Sequence, residues 1–387
     1  MRLTSALVLL GSILAAAATG RADDADSGSM ASDAPVVAVG DVHGDYREFV
    51  RILRHMELID RSGGWIGGTR RLVQTGDLVD RGAESRRVVE SLMRLEREAK
   101  TAGGAITVLL GNHEVMNITG ELDFVSEGEF LSFARDESAA MRKKARAEVE
   151  AFLKLDDDGL LRSNYRENLA RDIRLVSFDV FFPQGYFAHR KAYAPDGKLG
   201  AWLLKKNAVH IEAQSLFVHG GLSSKYGVLA PKEVNRRVRA DLERYFRAID
   251  DLVAVGAFSR HLGAAEAFRL LTAEQNAGGP SPRLLPAFRS LKRVLDGPVF
   301  ADDGPFWYRE LATASEPRLA RHVDRVTERH SVRRIIIGHT QDPSLRVRAR
   351  FGGRVFLIDT GMNQEYYGGV PSALGISGQS VQVFEIK

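Results

Sequence analysis

Five short apolar runs in this chain each break off into a polar motif that carries a glycine: Val36-Val37-Ala38-Val39, Leu72-Val73, Ile106 to Leu110, Leu216-Phe217-Val218 and Ile335-Ile336-Ile337. Runs of this length beside glycine read as buried strands that feed loops. Helical patterns follow the first two. Asp45 and Glu48 have capping-box spacing ahead of the stripe Phe49, Ile52, Leu53 and Met56, and Val88, Leu92, Leu95 and Ala99 repeat at helical intervals. The alternation predicts an α/β fold, whose ligand sites lie beyond the carboxyl ends of its strands. The polar motifs stand at those ends.

Composition narrows what surrounds this core. With 44% hydrophobic and 27% charged residues the chain has the balance of a globular protein, and 387 residues suffice for two or three domains or one large one. The absence of cysteine excludes disulfides and thiolate metal sites. Arg2, the mostly apolar Ala6 to Ala18 and the small residues before Asp23 predict a secretory signal peptide over 1–22, too short to persist as a membrane anchor. Its removal takes away Arg2 and Arg21 and no acid, so 54 basic against 50 acidic residues become 52 against 50. A nearly neutral mature chain gives no case for a nucleic-acid partner. Residues 23–34 are small and polar and read as a flexible linker, with the catalytic domain over 35–387. Export without cysteine suits a bacterial periplasm.

Two charged, helix-favouring segments, about 121–175 and 228–300, interrupt the alternation. The second contains Val238, Leu242, Phe246, Ile249 and Val253 at helical spacing. Both predict helical insertions, expected as solvated surface elements, with a substrate-shaping cap as the alternative.

The motifs carry the chemistry. In Gly40-Asp41-Val42-His43-Gly44-Asp45, residues two apart on an extended segment point to one side, so Asp41 and His43 can offer a carboxylate and an imidazole to one metal. Alone, such a pair is more often a surface turn. Gly76-Asp77-Leu78-Val79-Asp80-Arg81-Gly82 sets two acids beside an arginine fork, able to combine a metal-bridging carboxylate with a phosphate donor, or simply to form a surface ion pair. Gly111-Asn112-His113-Glu114 pairs an amide oxygen with an imidazole, and His219 and His339 each follow a strand and adjoin a glycine. Five oxygen- or nitrogen-bearing motifs at strand ends suit Mn, Fe or Zn. Asn117-Ile118-Thr119 is a formal glycosylation sequon to which no weight is given.

In order, GDVHG, GDLVDRG, GNHE, HGG and GHT resemble the calcineurin-like metallophosphoesterase superfamily, and GNHE with DRG and HGGLS resembles its phosphoprotein phosphatase branch. Gly304-Pro305-Phe306-Trp307-Tyr308-Arg309 and the segment around Trp202 resemble the bacterial-type Shewanella-like phosphatases. The resemblance implies a β-sandwich flanked by helices (αββα) around two divalent or trivalent metal ions. Asp41 and His43 would hold the first, Asp77 would bridge, and Asn112, His219 and His339 would complete the second. His113, oriented by Asp80, would protonate the leaving group, while Arg81 and Arg309 would bind phosphate. A metal-bridging hydroxide would attack phosphorus without a phosphoenzyme. Gln341 stands where many phosphodiesterases of the superfamily have a further histidine, which favours monoesters.

The expected activity is hydrolysis of phosphate monoesters on a phosphorylated protein, with a leaning to phosphotyrosine, or on a small molecule. Dinucleoside tetraphosphate hydrolysis is the alternative, disfavoured because those enzymes carry GNHD where this chain has Glu114. An inactive phosphate-binding scaffold is the second alternative, although no expected catalytic residue is missing.

Overall fold

The computed structural model describes residues 35–155 and 159–386, so the expected leader and linker and the acidic run at 156–158 lie outside the described residues. Two five-stranded mixed sheets form the centre. In the first, β1 (Val36–Val39), β2 (Arg71–Gln74) and β3 (Ala105–Val108) run parallel, Val36 opposite Arg71 and Arg71 opposite Ala105. In the second, β5 (Ser215–Val218), β6 (Arg334–Ile337) and β8 (Val355–Leu357) do the same, after β4 (Val209–Glu212) and with β7 (Arg348–Arg350) as antiparallel edges. The chain then returns to the first sheet through β9 (Ser372–Ser377) and β10 (Ser380–Glu385), β9 antiparallel to β1.

Alternation along the strands explains why the sheets stack. Val36 and Ala38 of β1 share one apolar cluster with Phe217 of β5, Ile336 of β6 and Leu374 of β9. Their neighbours Val37, Val39, Leu216, Val218, Ile335 and Ile337 join a second cluster, with Phe49, Ile52, Leu92 and Leu95 of the helices Tyr46–His55 and Ser85–Thr101. Since successive side chains in a strand point to opposite faces, each sheet buries one face on its partner and the other under helices. The expected αββα sandwich is what these residues build.

The insertions depart from the solvated helices expected of them. Between β3 and β4 the helices continue past residue 175, through Tyr186–Tyr193 to Lys198–Leu203. Val149, Phe152, Leu169 and Ile173 from this segment share an apolar core with Tyr245, Leu252, Leu270 and Leu291, from the helices Pro231–Ala254, Ala264–Asn276 and Leu285–Leu295. Each insertion is amphipathic, and its apolar stripe faces the other insertion. No helix among the described residues is long and apolar enough to cross a membrane.

One buried acid at the foot of the first insertion has a measurable consequence. Glu129 accepts from the backbone N–H of Arg86 at 3.0 Å, and its second oxygen is buried without a partner. Burial pushes its carboxyl from the ordinary 4.5 up to about 8. The fold therefore favours the protonated acid: the associated stability is complete below about pH 4.5 and is lost as pH rises through about 8. Glu129→Gln is expected to flatten the fall of stability with pH across that window, by at most about 1.4 kcal/mol per pH unit for one proton. Urea titrations of both proteins from acid to mildly alkaline pH measure the difference, and parallel pH profiles would remove the assignment.

Candidate metal centre

All six parallel strands deliver their carboxyl ends to one place. Asp41 and His43 follow β1, Asp77 follows β2, and Asn112 and His113 open the helix Asn112–Thr119 after β3. His219 follows β5 and His339 follows β6. Asp41, His43, Asp77, Asp80, Asn112, His113, His219 and His339 are buried, while Arg81 is half-buried and Arg309 exposed. Arg81, Asn112, His113, Arg309 and His339 line one cavity of about 320 Å³. The ten residues expected from the sequence thus surround a single site.

The backbone is strained to achieve this. His43, Asp77, Asp80, Arg81 and His339 all have positive φ, from 47° to 72°. Each such residue costs on the order of 1–3 kcal/mol and persists only where its surroundings enforce it. The flanking glycines let the segments close. A Cβ on Gly111 would stand 2.2 Å from an oxygen of Asp77, and one on Gly338 would stand 2.2 Å from an oxygen of Asp41.

The imidazoles are aimed by their other nitrogens. His43 Nδ1 donates to the carbonyl of Val79 at 3.1 Å and His219 Nδ1 to that of Thr75 at 2.9 Å, which leaves the Nε2 lone pairs facing inward. His219 Nε2 then lies 2.9 Å from Asn112 Oδ1 and 3.2 Å from Asp77 Oδ2. Acceptors set that close call for a shared cation or a proton. His339 Nε2 is buried with no partner, and burial with His219 and Arg309 nearby lowers its pKa to about 2, so it stays neutral and able to ligate. Burial likewise holds His43 well below the ordinary histidine range.

The acids give the complementary signal. Burial, then Asp359 and Asp77, raise Asp41 well above the carboxylate range, and burial raises Asp359 in turn. Asp77 moves the other way: burial opposes its charge, but His219 and His113 outweigh it and hold it ionised. Three carboxylates and the imidazoles of His43 and His339, both held neutral, around one buried point fit hard to borderline divalent cations. Two ligand triads are close enough to grip an ion, His43 with Asp77 and His113, and Asp77 with His219 and His339. They share Asp77. Asp41 adjoins the first triad, with its Oδ2 3.9 Å from His43 Nε2 and both its oxygens accepting from the backbone N–H of His339.

Beside this cluster, His113 Nδ1 meets Asp80 Oδ2 at 2.6 Å. Burial disfavours its charge, yet Asp77 and the bond to Asp80 prevail and raise its pKa above the ordinary value. Arg81 reaches His43 Nε2 at 2.5 Å, and Arg309 donates to the carbonyl of His339 at 3.0 Å and to Thr340 Oγ1 at 3.1 Å.

Several participants escaped the sequence reading. The carboxylate of Glu114 accepts three backbone N–H bonds, from Asp77, Leu78 and Gly111, each at 2.7 Å, and so pins the second motif to the third. Asn117 Nδ2 donates to Asp80 Oδ1 at 2.7 Å; this buried side chain sits one turn beyond His113, far from any glycosylation role. Asp359 follows β8 in Ile358-Asp359-Thr360-Gly361, a sixth apolar run ending in an acid and a glycine. The strand-end signal would have found it. Gln341 donates to Asp359 at 3.4 Å. Trp307 sets its ring edge-on to His339, centroids 6.0 Å apart, while Trp202 packs on the main core.

The sequence profile of the calcineurin-like phosphoesterases matches residues 34–343. The chain belongs to that family. Membership implies divalent metal ions, and the ligand triads offer them a place. Among proteins similar to this phosphoesterase, Shewanella-like protein phosphatase 2 of Arabidopsis thaliana is 33% identical over 208 residues, 53% of this chain and 50% of that protein's length. Shewanella-like protein phosphatase 1 of Plasmodium berghei is 23% identical over 328 residues, 85% of this chain and 67% of the relative. The crystal structure of a cold-active protein-tyrosine phosphatase from a psychrophilic Shewanella shares the fold, with a TM-score of 0.55 at 22% identity over 92% of this chain and 80% of the other.

Proposed function

We infer that this phosphoesterase is a metal-dependent phosphatase of phosphate monoesters, acting on phosphorylated protein and preferring phosphotyrosine. The observation that carries the reading is the content of one small cavity. Two guanidinium groups, Arg81 and Arg309, and an imidazole of raised pKa, His113, line it together with Asn112 and the shared carboxylate Asp77. When bound, two divalent cations supply a water-derived nucleophile at neutral pH and neutralise phosphoryl charge. Arg81 and Arg309 fix the phosphoryl oxygens through forked donors, with the Asn112 amide alongside. His113, held by Asp80, gives its Nε2 proton to the leaving oxygen, and Asn117 keeps Asp80 in place. Attack by water rather than by a side chain forms no phosphoenzyme.

The rim supports an aromatic leaving group. Phe124 and Tyr366 are 43% and 57% exposed although large and apolar or aromatic, and with Tyr367 they stand within 5.8 Å of the Arg81 guanidinium. A phenyl ring leaving from phosphate beside Arg81 would lie against them. In a panel of phosphotyrosine, phosphoserine and phosphothreonine peptides and diadenosine tetraphosphate, assayed with Mn, Fe, Zn and Mg, phosphotyrosine is expected to give the highest kcat/KM, and chelation to abolish turnover. Diadenosine tetraphosphate turned over far above any phosphopeptide would overturn the substrate class, and no hydrolysis with any metal would return the chain to a binding scaffold.

A further inference from the structure

A second groove, of about 810 Å³, adjoins the catalytic cavity, and Arg309 lines both. Its far wall is one face of the helix Glu316–Arg329. There Arg318, Arg321 and Arg325 follow one another at intervals of three and four, so they project from one side, while Leu319, Val323 and Val326 anchor the other in the core. All three arginines are exposed.

Their pairing is unequal. Arg318 engages Glu310, and Asp303 engages Lys225 at 3.5 Å. Among the described residues no acid lies within ion-pair distance of Arg321 or Arg325. With the local pairs discounted, Arg309, Arg321 and Arg325 face one uncommitted acid of the lining, Asp302. A solvated helix face in a chain of near-balanced charge needs no such excess, and this one lines a groove shared with Arg309, which reaches the catalytic cavity.

We propose that this groove is a docking surface for acidic side chains flanking the phosphorylated residue of a protein substrate, read by Arg321 and Arg325. The proposal rests on the phosphoprotein reading above and adds the sequence context that the site selects. A phosphate held at Arg309 brings the neighbouring residues of an extended peptide, about 3.3 Å apart, over the groove. Acidic ones gain attraction to two unpaired cations, and lysines are repelled. Exposed charge pairs contribute little singly, so the effect is a bias in KM, and it is screened by salt.

The test is the charge-reversed pair Arg321→Glu with Arg325→Glu, neither residue touching the reacting atoms. It is compared with the unaltered protein on p-nitrophenyl phosphate and on two phosphotyrosine peptides that differ only in carrying Asp and Glu or Lys on both sides. Hydrolysis of p-nitrophenyl phosphate is expected to stay within about twofold, which shows folding and chemistry intact. The acid-flanked peptide is expected to lose about tenfold in kcat/KM, mostly through KM, and the lysine-flanked one to improve. The preference of the unaltered protein for acidic flanks is expected to fade as salt rises from ~0.1 to ~1 M, where screening shortens from about 10 to about 3 Å. The milder Arg321→Ala with Arg325→Ala gives the same trend if reversal disturbs folding. Unchanged discrimination between the peptides, with p-nitrophenyl phosphate still hydrolysed, would overturn the groove. An unaltered protein inert toward p-nitrophenyl phosphate with every metal would instead remove the phosphatase reading, and this inference with it.

Discussion

Asp77→Ala is expected to lower hydrolysis of p-nitrophenyl phosphate by on the order of 10³-fold or more and to leave the protein unable to retain two metal ions. Among the described residues this side chain alone belongs to both ligand triads and so couples them. Metal-ion stabilisation of phosphoryl charge is worth several kcal/mol, and about 1.4 kcal/mol is a factor of ten. The loop need not collapse with it. The main chain of residue 77 holds its neighbours without the side chain, its carbonyl accepting from Val42 at 2.8 Å and His43 at 3.0 Å and its N–H donating to Glu114. Removing one of the buried carboxylates also relieves repulsion on Asp41, so folding is expected to survive. Metal content by mass spectrometry, read beside a urea titration, separates the two effects. Retention of two ions with undiminished turnover would show that Asp77 does not bridge.

Much of this site was legible because its residues are local to strand ends. A short apolar run that ends beside a glycine, such as Val36–Val39 or Ile335-Ile336-Ile337, reads as a buried strand, and the polar residue at its carboxyl end then faces the crevice. Periodicity points to the helices Tyr46–His55 and Ser85–Thr101 and to part of Pro231–Ala254, but it passes over Glu316–Arg329. What stayed hidden depends on partners far apart in sequence. The apolar stripe of Leu169 and Ile173 has no visible target until Leu252 and Leu270 fold beside it, so the insertions read as solvated. Glu114 looks like one more acid in a motif, and only the approach of the Asp77 loop shows it clamping three N–H groups. Phe124 and Tyr366 come from loops some 240 residues apart, and neither declares itself until both flank Arg81. Asp359 was missed for another reason. Its strand is three residues long, and its motif carries neither a histidine nor an arginine.

The same local reading placed His113 as a proton donor, and that role predicts a dependence on the substrate as well as a loss of rate. His113→Asn is expected to lower kcat/KM for phosphoserine or unsubstituted phenyl phosphate by about 10²- to 10⁴-fold, the usual scale for a positioned general acid. The loss for p-nitrophenyl phosphate should be far smaller, since its leaving group departs without a proton. The pH profile gives an independent reading. A general acid works while protonated, so turnover of a poor leaving group falls as pH rises through its pKa. Asp77 and Asp80 raise that pKa above the ordinary histidine value, so the active limb extends toward neutral and mildly alkaline pH. His113→Asn is expected to erase that alkaline fall. Asn117→Ala should shift the same limb without abolishing it, because Asp80 loses the amide that holds one oxygen while its other keeps His113 Nδ1. Equal losses on good and poor leaving groups would mean that His113 instead serves the first ligand triad, where its Nε2 stands 3.9 Å from Asp77 Oδ2. Its two possible roles differ in one measurable respect: a ligand must be neutral, and a proton donor must not.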